Sequence, residues 1–150
     1  MTDGPEINWR FYKENMEHAR HHETLRANIT NMILLLSGIG FSVVGYDKLV
    51  TNSDVPLLIF LFILGIFGSA FSIKQAERAR IHLVRAELFR NEIEANVANL
   101  NITKIYSEAN ELHSKDYYLL TKFKLWMFWV LIHMSISIIA LGLFVIWYFN

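Results

Sequence analysis

An apolar segment of this chain leads without a break into a charged helix. The run VPLLIFLFILGIFGSAFSI, from Val55 to Ile73, carries no charge. At about 1.5 Å per residue it is long enough to cross a hydrocarbon core of ~30 Å. The residues from Lys74 to Ala98 are rich in good helix formers and contain no Pro or Gly. The sequence therefore predicts one helix that spans a membrane and continues into water.

Two further apolar segments have the length and composition of membrane spans. The first runs from Ile29 to Tyr46, and the other runs from Leu125 to the end of the chain. With 53% hydrophobic residues, the chain is too apolar for an ordinary soluble domain. It has no Cys, so disulfide and thiol chemistry are excluded. The predicted fold class is all-α, an integral membrane protein with three transmembrane helices.

The predicted organisation has six consecutive parts. They are an N-terminal amphipathic helix (1–28), the first span (29–46), a short external loop (47–54), the second span (55–73), a helical hairpin (74–124) and the third span (125–150). The hairpin turns at Asn99 to Thr103, and its return helix should run unbroken from Thr103 through Lys124 into the third span. The second and third spans thus continue into the hairpin, against which the N-terminal helix packs.

Each arm of the hairpin has a heptad-like series of mostly apolar residues that should pack against the other arm. The outgoing series is Ile81, Val84, Leu88, Asn91, Ala95 and Ala98, and the return series is Ile102, Ile105, Ala109, Leu112, Asp116, Leu119 and Phe123. In the second span, the spacings of Gly65 with Ser69 and of Gly68 with Ser72 favour close contact with another helix.

The distribution of basic residues predicts the orientation. Of the 14 Lys and Arg residues, all but Lys48 lie before the first span or between the second and third. With three spans these two regions are on the same side of the membrane, and the positive-inside rule makes that side cytoplasmic. We expect a cytoplasmic N-terminus and an external C-terminus.

A cationic face just beyond the second span is the candidate ligand site. Lys74, Arg78, His82 and Arg85 follow one another at steps of four, four and three, so they share one face of a helix. Convergent cations of this kind suit an anion or a nucleotide phosphate. Alternatively, Arg78 and Arg85 form ion pairs with Glu23 and Glu14 of the N-terminal helix, or the cations nearest the membrane bind lipid headgroups.

Small and polar residues of the spans are candidates for a conduction path. Asn31, Gly38 and Ser42 share one face of the first span, and His133 is an ionisable residue within the third. We assign all four to the path, although a neutral His133 that donates to Ser137 or to a neighbouring backbone carbonyl would also serve as structure. Three spans rarely form a path within one protomer, so a pore requires a homo-oligomer, for which we expect a tetramer or larger.

Neither metal binding nor catalysis is predicted. His18, His21 and His22 form a His-rich patch, and His18 with His22 has a spacing that can share a metal. A third ligand would have to come from Glu14, His82 or His113, and no second motif supplies it at a fixed spacing. The chain has no Gly-rich phosphate loop, no nucleophile elbow and no HExxH motif, so we expect no enzyme and no cofactor.

The layout resembles small bacterial membrane effectors of antiphage defence. A charged, His-containing helix (FYKENMEHARHHETLRANITNM, from Phe11) leads into the first span, and the second span runs into an Arg-rich helix (FSIKQAERARIHLVRAELFRNE, from Phe71). In this it is similar to the channel-type effectors that accompany nucleotidyltransferases in CBASS and Hailong systems and to SLATT-type membrane domains. The resemblance implies an oligomeric channel of the bacterial inner membrane, opened when a nucleotide or oligonucleotide messenger from a neighbouring nucleotidyltransferase binds its cytoplasmic part.

Two functions are therefore carried forward. The first is a homo-oligomeric pore in which a ligand at the cytoplasmic helices changes the packing of the spans. The second is a membrane scaffold or sensor subunit that does not conduct and that anchors a cytoplasmic partner protein.

Overall fold

The structure, a computed structural model, describes residues 4–46, 50–97 and 100–149. Within these ranges it contains no strand and five helices, α1 (Gly4–Val44), α2 (Val55–Asn96), α3 (Ile102–Asp116), α4 (Tyr118–Lys122) and α5 (Leu125–Phe149). The predicted all-α class is confirmed. Helices α1, α2 and α5 are each long and apolar enough to cross a membrane, as expected for three spans.

The first connection lies close to the predicted position. Helix α1 ends at Val44, where the N–H of Gly45 donates to the carbonyl of Phe41 (2.9 Å) in a final turn. Residues 47–49 of the predicted loop lie outside the described residues. Before α2, the backbone N–H of Thr51 donates to the Asp54 carboxylate (2.8 Å), and the carbonyl of Asp54 accepts the N–H of Leu58 (2.9 Å). Asp54 therefore fixes the start of α2, which begins at Val55 as predicted.

The hairpin turn is held by a side chain of α2. Helix α2 ends at Asn96, and Ala98 and Asn99 of the predicted extension and turn lie outside the described residues. The Glu94 carboxylate accepts both the backbone N–H (3.0 Å) and the hydroxyl (2.5 Å) of Thr103, in the first turn of α3. Hydrogen bonding from the Thr103 hydroxyl lowers the pKa of Glu94. An anionic side chain thus binds the positive end of the α3 dipole.

The prediction of an unbroken return helix is wrong. Helix α3 ends at Asp116, and Tyr117 leaves the helical conformation with φ −125° and ψ 40°. A short α4 follows, and Phe123 and Lys124 separate it from α5. No Pro or Gly causes the break; the run of His, Ser, Asp and Tyr residues around Asp116 has only moderate helix propensity, so no single breaker announces it. Only the second span continues directly into the hairpin.

The helices divide into two compact units. One, here called the charged unit, comprises Met1–Glu23 and Ala76–Lys124; the other, the membrane unit, comprises Thr24–Gln75 and Leu125–Asn150. Helices α1 and α2 contribute residues to both.

In the charged unit, α1 packs against α2 through small residues. Ala19 of α1 and Ala79 and Ala86 of α2 are buried, and the rings of Phe11 and Phe89 stack with centroids 5.3 Å apart. Alanines two turns apart on one helix let the partner backbone approach closely. The face of α2 toward α1 therefore carries its buried residues.

The heptad-like seam predicted between α2 and α3 is wrong, because its large side chains stay exposed. Ile81, Val84 and Leu88 are at least 39% exposed, and none of the residues of α3 is buried. Of the other predicted members, Ala98 and the side chain of Leu119 lie outside the described residues. Apolar residues at heptad spacing do not by themselves decide which face of a helix is covered. In α2 the covered face is the one with the buried alanines, and it packs against α1.

In the membrane unit, glycines bring α2 against α5. A Cβ on Gly65 would lie 2.6 Å from the carbonyl oxygen of His133, and one on Gly68 would lie 2.5 Å from its Nδ1 atom. The hydroxyl of Ser69 donates to the carbonyl of Gly65 (3.0 Å), and Ser137 of α5 donates to the carbonyl of Phe62 (2.8 Å). The close contact predicted from the Gly65 and Gly68 spacings is confirmed.

We expect Gly65→Ala to destabilise the membrane unit, because the added methyl group meets backbone atoms of α5 that cannot move aside. Such overpacking lowers the free energy of unfolding by about 1–3 kcal/mol. The control is Gly142→Ala, where nothing lies within 4 Å of the added Cβ. Unfolding in an SDS titration, followed by tryptophan fluorescence, should move to lower SDS for Gly65→Ala only. Equal midpoints for the two variants would contradict the packing described.

Candidate functional site

The four predicted ligand residues all lie on α2 but not all in one unit. Lys74 belongs to the membrane unit, whereas Arg78, His82 and Arg85 belong to the charged unit. The candidate site of the charged unit therefore consists of Arg78, His82 and Arg85. They lie on one face of α2 because they are separated by four and three residues.

His82 is the centre of a histidine cluster in the charged unit. Its Nδ1 atom lies 3.0 Å from the side-chain oxygen of Asn15, which is buried on α1. Its ring stacks on those of His18 and His22, with centroids 5.0 and 5.6 Å away. His18 and His22 are one turn apart on α1, and together with Asn15 they hold the imidazole of His82 in place. We call His18, His22 and His82 the histidine cluster.

The surroundings of His82 are electrostatically positive. Burial lowers the pKa of His82, and the charges of His18, Arg85, His22 and Arg78 lower it further. Each of these groups disfavours an additional positive charge on the ring. The same arrangement attracts an anion, since a negative ligand relieves the repulsion among all of them.

The two arginines beside the cluster are available to a ligand. Arg78 and Arg85 are both exposed, and within the described part of the chain neither forms an ion pair. The alternative that Glu14 neutralises Arg85 is wrong, because the Glu14 carboxylate lies 3.7 Å from Nε2 of His18 on its own helix. The alternative pairing of Arg78 with Glu23 is likewise not formed, although Glu23 has other interactions.

The histidine cluster does not have the geometry of a metal site. Stacked imidazoles present their faces to one another, whereas metal ligands direct ring nitrogens at one point. Among the described residues, no group of three or more His, Asp or Glu side chains could hold a metal ion. His21 contacts His22 edge to face, with ring centroids 5.9 Å apart.

The four predicted path residues are not brought together. Asn31, Gly38 and Ser42 lie on the exposed face of α1, and Gly38 and Ser42 line an open groove of about 700 Å³. Tyr46 and Asp54 form the end of the same groove.

His133, in contrast, is completely buried inside the membrane unit. Its Nε2 atom lies 3.1 Å from the hydroxyl of Thr30, on the buried face of α1. The predicted alternative bond to Ser137 is not formed, because that hydroxyl donates to the carbonyl of Phe62. His133 therefore faces a different environment from the other three residues.

Sequence reasoning missed Asn15 and Thr30, the hydrogen-bond partners of His82 and His133. Both belong to a three- and four-residue spacing of covered positions on α1 that includes Asn15 and Ala19 in one unit and Thr30, Ile33 and Ser37 in the other. Apolar residues do not mark this covered face reliably, since Trp9 of α1 is 51% exposed. The signal that could have identified Asn15 and Thr30 is that each is a polar residue at a position of the heptad-like spacing.

Comparison of the chain with models of protein families, with curated proteins and with solved structures finds no match. The site is therefore interpreted from its own chemistry.

We expect the charged unit to lose stability as the pH is lowered through the range in which histidines titrate. The pKa of His82 is lowered in the folded chain, so the unfolded chain binds more protons once the pH falls below about 6.5. Stability is full above that pH and decreases toward the lower, folded pKa. Urea midpoints of the full chain in non-ionic micelles, followed by circular dichroism between about pH 8 and 5, should show this slope. In His82→Gln the slope should flatten; an unchanged slope would contradict the assignment.

Proposed function

We propose that the chain is a homo-oligomeric pore of the bacterial inner membrane that opens when a nucleotide or oligonucleotide binds its cytoplasmic helices. The charged unit is cytoplasmic in this proposal, by the asymmetry of Lys and Arg, and the C-terminus is external. A role in antiviral defence, with a neighbouring nucleotidyltransferase as the source of the signal, follows from the resemblance in layout to membrane effectors of such systems.

The observation that carries the proposal is the pair of exposed arginines beside the histidine cluster. Arg78 and Arg85 lie four and three residues from His82 on one helix face, and neither forms an ion pair in the described part of the chain. A guanidinium group binds phosphate through two parallel hydrogen bonds. Two of them, with imidazoles between, suit a ligand that carries more than one phosphate, such as a dinucleotide.

Helix α2 supplies the connection from the ligand to the pore. It is a single helix from Val55 to Asn96, so residues that bind the ligand and residues that pack in the membrane belong to one element. A ligand can shift the equilibrium between closed and open arrangements only by binding one of them more tightly. A messenger that draws Arg78 and Arg85 of neighbouring protomers together would favour one arrangement of their α2 helices.

The packing of the membrane unit favours a path between protomers. Leu58, Leu61 and Ile136 are buried inside it, so the interior of one unit is occupied by side chains. The exposed Asn31, Gly38 and Ser42 are available to line a path where several copies of α1 meet. A closed ring of tetramer size or larger would place these faces around its axis.

The test is ligand-evoked flux through the purified full chain in liposomes. Cyclic dinucleotides and short cyclic oligonucleotides are screened for release of a trapped dye or ions. We expect Arg78→Glu with Arg85→Glu to abolish the evoked flux, because phosphate binding is replaced by repulsion. The control is Lys104→Glu with Lys115→Glu, which reverses two exposed cations of α3 that already pair with Glu108 and Glu111. Loss of flux in both double variants, or in neither, would contradict the assignment of the site.

One observation favours the scaffold as the second candidate. Helix α3 is amphipathic and has no buried residue, and Ile105, Tyr106 and Leu112 on it are at least 50% exposed. Such a face suits the surface of a cytoplasmic partner protein. The scaffold replaces the pore if no ligand evokes flux and if a single partner co-purifies with the full chain but not with Ile105→Lys combined with Leu112→Lys.

A further inference from the structure

His133 occupies a buried polar position at which α1, α2 and α5 of the membrane unit meet. It is completely buried, with Thr30 of α1 on its Nε2 side at 3.1 Å. Its Nδ1 atom faces Gly68 of α2, where a Cβ would come within 2.5 Å. Only glycine at this position leaves space for the ring.

The hydrogen bonding of the imidazole is incomplete in either neutral form. Within the described residues, Nδ1 has no hydrogen-bond partner. If Nε2 donates to the Thr30 hydroxyl, the lone pair of Nδ1 is unsatisfied; if Thr30 donates to Nε2, the N–H at Nδ1 is unsatisfied. A protonated ring has two N–H donors and one available acceptor, so its second donor needs a new partner.

No anion of the spans can compensate a proton on His133. There is no Asp or Glu from Ile29 to Val44, from Val55 to Ile73 or from Leu125 to Phe149. On α1 the charged residue of the same buried face is Arg26, one turn before Thr30, and its charge has the same sign as an imidazolium. The uncharged groups beside the ring are Gly68 of α2 and the Thr30 hydroxyl, and the hydroxyls of Ser69 and Ser137, in the contact between α2 and α5, both donate to backbone carbonyls.

The interior of the membrane unit changes in polarity along its length. The half nearer Thr24 buries Arg26, Thr30, Ser69, Ser72 and His133, together with the apolar Ile33. Ser37 and Ser137 are also buried, farther along the unit, and within the described residues the Ser37 hydroxyl has no hydrogen-bond partner. The end nearer Val55 buries Leu58, Leu61, Val44 and Ala140. Ser72 is completely buried, and within the described residues its hydroxyl has no hydrogen-bond partner. Buried polar atoms without protein partners are the usual positions of internal water. Leucines at the other end close the interior to water.

We infer that His133 is a proton-binding site inside each protomer and that its protonation admits water to the polar half of the membrane unit. The proton and the water enter from the Thr24 end. The ligand is a proton, which a hydronium ion transfers to the ring nitrogen that lacks one, leaving a water molecule; an admitted water molecule then accepts the N–H at Nδ1. Because the ring is packed against Gly68, this water requires that α5 move away from α2. The protonated unit is therefore hydrated and less tightly packed, and the neutral unit is dry and closed.

Two readouts on the full chain in lipid bilayers test this inference, and neither depends on conduction or on a nucleotide. The first is nitrogen-15 NMR of histidine-labelled protein, in which the signals missing from His133→Gln belong to His133. We expect the His133 ring to be neutral at about pH 8 and to become an imidazolium as the pH is lowered. A ring that stays neutral down to the lowest pH at which the chain keeps its helical circular dichroism overturns the inference.

The second readout is the rate at which single introduced cysteines react with a water-soluble thiol reagent. The chain has no native Cys, so only the introduced cysteine reacts. Ser72→Cys is nearly isosteric, and Leu58→Cys is a control of equal burial at the other end. For Ser72→Cys we expect a rate about tenfold higher with His133 present than in the His133→Gln background at low pH, and equal rates at pH 8. Leu58→Cys should react slowly throughout.

The paired backgrounds remove the effect of pH on the thiol itself, because the same cysteine is compared at the same pH. Equal rates for Ser72→Cys in both backgrounds at low pH overturn the inference even if His133 titrates. Equal acceleration of Leu58→Cys also overturns it, since water would then not be confined to the polar half. The oligomer size of each variant, measured in detergent, confirms that the substitutions leave assembly intact.

Discussion

Polar groups inside a hydrocarbon core have no water to bond with, so the protein itself must supply their partners. The membrane unit meets this requirement for some of its buried polar groups by bringing α2 and α5 into backbone contact at Gly65 and Gly68. That distance lets Ser137 reach the carbonyl of Phe62 and lets the ring of His133 lie between α2 and the Thr30 hydroxyl. A larger residue at either glycine would separate the helices, and the buried hydroxyls and imidazole would lose these positions together.

Small residues also bring two helices close together in the charged unit, where the contact positions a histidine cluster. Ala19, Ala79 and Ala86 let α1 and α2 approach closely, and His82 thereby reaches Asn15 and stacks on two histidines of α1. Burial lowers the pKa of His82 most, and nearby positive groups lower it further. Arg78, Arg85 and the histidine cluster thus lie close together, and each disfavours a further positive charge on the ring of His82.

His82 and His133 differ in what can compensate a positive charge on the ring. His82 is partly exposed beside the exposed Arg78 and Arg85, so the site that they form is open to a phosphate from solution. His133 is completely buried and no span carries an Asp or Glu, so the ligand that we infer for it is a proton with water. The proposed pore would therefore have two inputs of different chemistry, and helix α2 contributes residues to the surroundings of both.

Hydropathy and glycine spacing determined much of this protein from sequence alone. They placed three spans, the start of α2 at Val55 and the contact surface at Gly65 and Gly68, because each depends on the local length, polarity or size of consecutive residues. The helix break at Tyr117, the exposed faces of Ile81 and Leu88, and the partners Asn15 and Thr30 were decided only by the tertiary structure. Which of two apolar faces becomes covered, and which polar atom meets a buried histidine, depends on the helix that packs there, and no spacing within a single helix contains that information.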